Sequence, residues 1–253
     1  MQRHRGFSKF WSVFVQGAVF AGVLCLAPNV FANDGVIILD KDLPQPISAG
    51  RQLSYYIDDQ GSLTLDDVRS QNETLEWQTH DMNVPNFGFS SSIYWFRGEA
   101  EIRPGAPKTW YLVQDWPIIY TVDVFLIGAD GEIIHEAHVG TNVPFSERPT
   151  ASRRFVMPIE LTESGRVKLF VRVASANSMQ VPLFFWEPGA YNAHDRLRQS
   201  LEGIFLGILI IMVLYNLLVY LVTHDMTYAW LAGFITAFGI LQADFFGTAI
   251  EYL

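Results

Sequence analysis

The chain has 253 residues, 50% of them hydrophobic and 17% charged, with a formal net charge of −9 and one cysteine. Between Asn33 and Ala193 there are 21 acidic against 12 basic residues, a balance of −9, which argues against nucleic acid and against tight docking on anionic lipid. The lone Cys25 excludes an internal disulfide framework, so stability must come from an apolar core.

The first residues carry an export signal. Arg3, Arg5 and Lys9 precede the mainly apolar stretch Phe10 to Ala27, and Val30-Phe31-Ala32 offers small residues at a cleavage site. Residues 1–32 are therefore expected to be a signal peptide cleaved after Ala32. An uncleaved anchor is the alternative, since the stretch is longer than many signal cores, and either outcome translocates the residues beyond it.

Residues 33–193 have the length of one domain and read as strands. The segments 110–114, 122–127, 132–136, 154–159 and 166–173 are rich in β-branched and aromatic residues, and several alternate polar with apolar. Turn chemistry separates them at 104–107, 128–131, 144–149 and 163–165, at spacings that suit an antiparallel meander or sandwich. One short helix is expected at Leu65 to Val68, with Thr64 as its N-cap and acidic residues in its first turn.

Residues 194–253 begin a membrane region with two helices, at about 201–222 and 227–247. Ile204 to Val222 is an uncharged run of nineteen residues, and a second apolar segment covers Tyr228 to Ala243. At ~1.5 Å per residue the first can span a hydrocarbon core of ~30 Å. Gly203 and Gly207, four apart, are expected to let a neighbouring helix approach closely. Asn216, inside the apolar run, is expected to bond across to another helix, with its own backbone as the competing partner. Export of the domain directs the first span inward, with residues 223–227 as a cytoplasmic turn. Arg196 and Arg198 lie on the opposite side from that turn, against the positive-inside tendency, so the orientation rests on the export signal.

Several stretches together resemble a known family. They are Asn86-Phe-Gly-Phe-Ser-Ser-Ser-Ile-Tyr-Trp-Phe-Arg97, Asp115-Trp-Pro-Ile-Ile-Tyr120, Val139-Gly-Thr-Asn-Val-Pro-Phe-Ser-Glu-Arg-Pro149, Leu169-Phe-Val-Arg-Val173 and Pro182-Leu-Phe-Phe-Trp-Glu-Pro188. In order and spacing they are similar to the type 2 extracellular domain of bacterial seven-transmembrane receptors with diverse intracellular signalling modules. The residues from Gly203 to Tyr228 resemble the first two helices of that family's membrane region. The resemblance implies an all-β, jelly-roll-like sandwich similar to carbohydrate-binding modules, followed by α-helical transmembrane segments. It also implies a periplasmic domain on the bacterial inner membrane and a cytoplasmic cyclase, kinase or related output. No output module is present in these residues, so the chain is expected to be a fragment or a truncated product.

Candidate ligand contacts are the aromatic and basic residues within these stretches: Trp95, beside Tyr94, and Arg97; Phe145 and Arg148; Arg153 and Arg154; Asn177 and Trp186. Flat aromatic faces suit the apolar side of a sugar ring, and arginine suits a carboxylate. Arg148, Arg153 and Arg154 form the densest basic cluster of an acidic domain and would favour an anionic group. Within a strand, Arg153 and Arg154 would point to opposite faces, so one at most joins a given site. Strand alternation also gives Trp95 and Phe155 a core reading, which leaves Arg148, on the 144–149 loop, as the best placed.

Catalytic patterns are missing from the sequence. His135 and His138 are three apart on a strand and cannot share a metal ion, no nucleophile elbow or phosphate-binding loop occurs, and the paired acids Asp58-Asp59 and Asp66-Asp67 read as solvated charge. No cofactor and no catalytic role are expected. The expected partners are a small-molecule or glycan ligand, the lipid bilayer, and a homodimer mate or partner receptor. The expected function is ligand sensing and the first membrane crossing of a signalling receptor; a membrane-anchored glycan-binding or scaffold protein without output is the alternative.

Overall fold

The computed structural model describes residues 35–246 apart from 151, 162, 163 and 177; the expected signal segment and Asn177 thus lie outside the described residues. In chain order the elements are β1 (Val36–Leu39), β2 (Ile47–Ser48), β3 (Ser54–Asp58), α1 (Leu65–Ser70), β4 (Asn86–Phe89), β5 (Ile93–Ile102), β6 (Thr109–Gln114) and β7 (Thr121–Ile127). They continue as β8 (Ile133–Val139), β9 (Phe155–Glu160), β10 (Gly165–Ala174), β11 (Ser178–Gln180), β12 (Leu183–Trp186), α2 (Pro188–Thr223) and α3 (Met226–Phe245).

The strands make two packed sheets. One runs β1-β5-β10-β7-β8, with β3 also paired to β5; the other runs β2-β12-β6-β9. Every pairing in them is antiparallel except β1 with β5. A short β11-β4 pair stands apart from both. This is a sandwich, the second of the two architectures the turn spacing allowed. Alternation along each strand fills it: Tyr94, Phe96, Ala100 and Ile102 of β5, Val122, Val124 and Leu126 of β7, and Trp110, Leu112, Phe155, Met157, Leu183 and Phe185 of the second sheet share one buried core.

The opposite faces carry apolar residues too, so each needs a cover. On the first sheet Trp95, Phe125, Ile127 and Phe170 are buried beneath Val68 of α1 and the following segment, where Leu75 and Trp77 pack. Helix α1 is fixed by a capping box: the Thr64 hydroxyl accepts from the Asp67 amide at 3.3 Å, and the Asp67 carboxylate accepts from the Thr64 amide at 2.9 Å. The Thr64 hydroxyl, which also donates to the Asp67 carboxylate at 2.6 Å, and then the Thr64 amide hold that carboxyl below its ordinary pKa. On the second sheet Val113, Val156 and Trp186 are buried with Tyr191 of α2.

Helix α2 is continuous for 36 residues, with Pro188 in its first turn. At ~1.5 Å per residue that is roughly 54 Å. It begins at Pro188 rather than near residue 201, so the expected boundary at residue 193 falls inside it. His224 closes it at φ 54°, and Asp225 caps α3 by accepting from the Thr227 amide at 2.9 Å. Both helices are long and apolar enough to cross a membrane.

Two expectations for these helices are corrected. Nothing lies within 4 Å of where a Cβ would stand on Gly203 or Gly207; the close approach is at Gly239, whose Cβ position is 3.5 Å from Leu209. The Asn216 amide, in a buried residue, donates to its own helix at the Met212 carbonyl, 2.8 Å away, which satisfies it without an interhelical bond.

Candidate functional site

Among the described residues, the sequence-derived candidates divide among three places. The first is a groove on the outer face of the β1-β5-β10-β7-β8 sheet, beside α1. A concavity of about 810 Å³ is lined by Arg69, Asn72, Glu99, Arg166 and Lys168, among others. A second of about 330 Å³ shares Asn72, Glu99 and Lys168 with it and adds Arg97. Arg97 lies over the Trp77 ring, 4.5 Å from its centroid, and donates to the backbone and side-chain oxygens of Asn72, both at 2.9 Å. Burial lowers its guanidinium pKa from the ordinary value, and a guanidinium stays charged regardless. Arg69 reaches across the groove to the Gly131 carbonyl at 2.7 Å. These volumes suit a small ligand, and the walls offer charged and amide groups at several angles. Trp95 lies beneath this face, 1% exposed and stacked with Phe125 at 6.4 Å, so its ring packs under the cover rather than offering a face to the groove.

The second place is the 144–149 loop. Its centre is a 3₁₀ turn, Phe145–Glu147, which brings Phe145 back over Arg148. The Arg148 guanidinium lies 5.4 Å from the Phe145 centroid and 4.9 Å from that of Phe155, and it donates to the Gly140 carbonyl at 3.4 Å. Arg148 is 9% exposed, and its Nε and Nη1 have no acceptor among the described residues. Its charge is sheltered by two rings instead of displayed. Here Phe145 and Arg148 belong together, but the cation is shut in.

The third place is the joint between the sandwich and α2. Arg153 and Arg154 precede β9 and sit in an irregular turn, so strand alternation does not separate them; Arg153 meets α2 directly and Arg154 through Asp115, which it shares with Arg198. Arg153 pairs with Glu202 at 3.5 Å, and Arg154 with Asp115 at 3.2 Å. Arg198 pairs with Asp115 at 3.2 Å, Asp195 at 2.7 Å and Glu202 at 3.7 Å. Three cations thus face three anions, and two of the three arginines in the expected basic cluster, Arg153 and Arg154, are neutralised. Burial lowers the Arg154 guanidinium pKa, with Asp115 opposing it. Trp186 is 8% exposed, with Tyr191 edge-on at 5.9 Å and His194 at 5.0 Å. The joint consumes Arg153, Arg154 and Trp186. Sequence reasoning missed Asp115, Tyr191, Arg198 and Glu202, although the charges spaced three and four apart at 195, 198 and 202 were a visible sign of a buttressed helix.

A β-sandwich whose last strand turns directly into a long apolar helix defines a membrane-anchored outer domain. The chain belongs to the family described as 7TMR-DISM extracellular 2, which matches residues 50–187; residues 198–253 match the family described as 7TM diverse intracellular signalling. It is therefore a membrane protein with the extracellular and transmembrane parts of a signalling receptor. No curated protein matches it in sequence. Among solved structures it is similar to a glycoside hydrolase family 43 arabinoxylan arabinofuranohydrolase from Bacillus subtilis in complex with cellotetraose, at 16% identity and TM-score 0.21, covering 38% of this chain and only 20% of that one. Two others are a family 6 carbohydrate-binding module (8% identity, TM-score 0.21, 40% of this chain, 79% of that one) and CsCBM6-3 from Clostridium stercorarium in complex with cellobiose (16% identity, TM-score 0.20, 42% and 82%).

Proposed function

We propose that the sandwich is a periplasmic ligand sensor on the bacterial inner membrane and that α2 carries its state through the bilayer to a cytoplasmic output module. The observation that carries this reading is the joint: α2 is packed on Trp186, Val113 and Val156, bound by the ion pairs of Asp115, Arg153 and Arg154, and continues unbroken into the apolar span. A mere tether or scaffold would need no such coupling. A ligand shifts the helix if it prefers one of two arrangements of this joint.

The ligand is a carbohydrate or a small carboxylate held in the groove beside α1. Arg97 and Lys168 present cations there, beside Arg69, which also pairs with Asp66, and Arg166, which also pairs with Glu99 and Glu101; these donors suit hydroxyl-rich and anionic molecules. Thermal unfolding of the chain in nanodiscs, against neutral sugars, uronates and dicarboxylates, tests this. A ligand at 100 times its Kd stabilises by ~2.7 kcal/mol. Arg166→Ala combined with Lys168→Ala should abolish that stabilisation, and Arg148→Ala should leave it. Loss only in Arg148→Ala would move the site to the 144–149 loop and defeat the groove reading. A Gly-Ser insertion after Gly203, between the docked turns and the span, should leave ligand binding intact and silence a full receptor's output; unaltered output counts against coupling through α2.

A further inference from the structure

The joint also fixes which end of the sandwich faces the bilayer. Strand β12 ends at Trp186, beside Tyr111, and α2 then runs back along the sheet toward Gln114 and Asp115. Its last tie to the sandwich is Glu202 with Arg153, and the apolar run starts at Ile204. Two residues of helix are ~3 Å, so the strand ends near Gln114, Phe155 and Leu183, with the loops beyond them, lie against the membrane surface.

That end exposes large aromatics. Phe89 is 85% exposed and pairs with Ser178 in the small β4-β11 sheet; Tyr120 is 55% exposed in the bend just before β7. Tyr120 is braced by the neighbouring loop, whose Asn142 amide donates to its carbonyl at 3.3 Å. Gly140, at φ +148°, lies so close to the Tyr120 carbonyl that any Cβ would collide with it. On α2 itself Leu197 and Leu201 are 61% and 58% exposed at the level of Arg198 and Glu202. Apolar surface is therefore exposed both on this loop end and on α2 before the apolar run at Ile204 begins.

We propose that this loop end rests on the bilayer, with Phe89 and Tyr120 in the headgroup layer beside Leu197 and Leu201. Aromatic residues favour that layer, whose thickness on each side is about 5–8 Å, and the last tie of the sandwich to α2 stands only ~3 Å along the helix from the span. Of the cations at this end, Arg148, Arg153, Arg154 and Arg198 are paired or enclosed, Arg196 on α2 is exposed, and the exposed Glu147 carries the opposite charge. The contact is thus with a neutral lipid surface and does not depend on anionic headgroups.

Nitroxide labels on a Cys25→Ser background, in nanodiscs of the whole chain, test this. Labels at Phe89→Cys and Tyr120→Cys, with Asn142→Cys as a substitution in the adjoining loop, are compared with Ile134→Cys at the opposite part of β8 and Met212→Cys inside the span. The expected result is collision with oxygen favoured over a water-soluble nickel chelate at 89 and 120, as at 212, with the reverse at 134, in phosphatidylcholine alone and in mixtures with phosphatidylglycerol. Labels at 89 and 120 as aqueous as that at 134 would overturn the proposal. So would membrane contact that appears only with phosphatidylglycerol.

Discussion

The two outer faces of the sandwich bury similar aromatic residues but are covered differently. Over Trp95 and Phe125 lies a local cover, a six-residue helix and the segment after it, which leaves a polar groove beside it. Over Val113 and Trp186 lies the start of a 36-residue helix that leaves the domain altogether. One face leaves a groove beside its cover, the other is covered by a helix that continues into an apolar span, and a single core lies between them.

Substitutions can break each cover separately. Trp95→Ala should cost about 3–5 kcal/mol in global stability, read by thermal unfolding, because it empties the pocket beneath α1. It should leave hydrogen exchange in residues 188–202 unchanged below the unfolding transition. Asp115→Ala removes the carboxylate shared by Arg154 and Arg198. Leaving those half-buried donors unmet should cost about 1–3 kcal/mol, with faster exchange in residues 188–202 and none of it in α1. If the faces are independent, the two effects add.

Smaller changes refine the same contrast. Thr64→Ala removes one half of the capping box and should cost ~1 kcal/mol, visible as faster exchange in α1 and the groove wall, with α2 unaffected. The smallest effect expected is a pH dependence on the groove-bearing sheet. His138 bonds Asp123 at 2.9 Å and Glu136 at 3.0 Å, and Arg172 also binds Asp123 at 3.1 Å. The hydrogen bond to Asp123 raises the His138 pKa, against some burial, and both carboxylates add to the rise. A raised folded-state pKa means that the stabilisation is present in full below the ordinary histidine value of about 6.5 and is lost as pH climbs through the raised one. Unfolding of His138→Gln should lack that decline.

The core strands were legible because apolar β-branched residues alternate over six or more positions, as in β7 and β10. Thr64 and its acidic first turn announced α1 for the same reason, since the cap is local chemistry. Strands β1, β2 and β12 have only two to four residues, too short for a periodicity, and they exist because the core recruits them. The site was harder to read. The basic cluster of Arg148, Arg153 and Arg154 was visible, yet its partners Asp115 and Glu202 lie far away in sequence, and the enclosure of Arg148 depends on Gly140 and Phe155 folding around it. Charge density in sequence gives no sign of neutralisation by distant residues. Of the groove cations, Arg166 and Lys168 share a face of β10 by alternation, but Arg69 joins them only through tertiary contact.

The claim on which the account turns is that sandwich and helix move as one body as far as residue 202. Nitroxide pairs at Glu160→Cys on β9 and Arg196→Cys on α2, in the Cys25→Ser chain in nanodiscs, measure it by pulsed dipolar spectroscopy. A single narrow distance distribution that broadens in Asp115→Ala is the predicted result. A broad distribution in the otherwise unaltered chain would contradict it, because a freely swivelling helix has nothing to transmit.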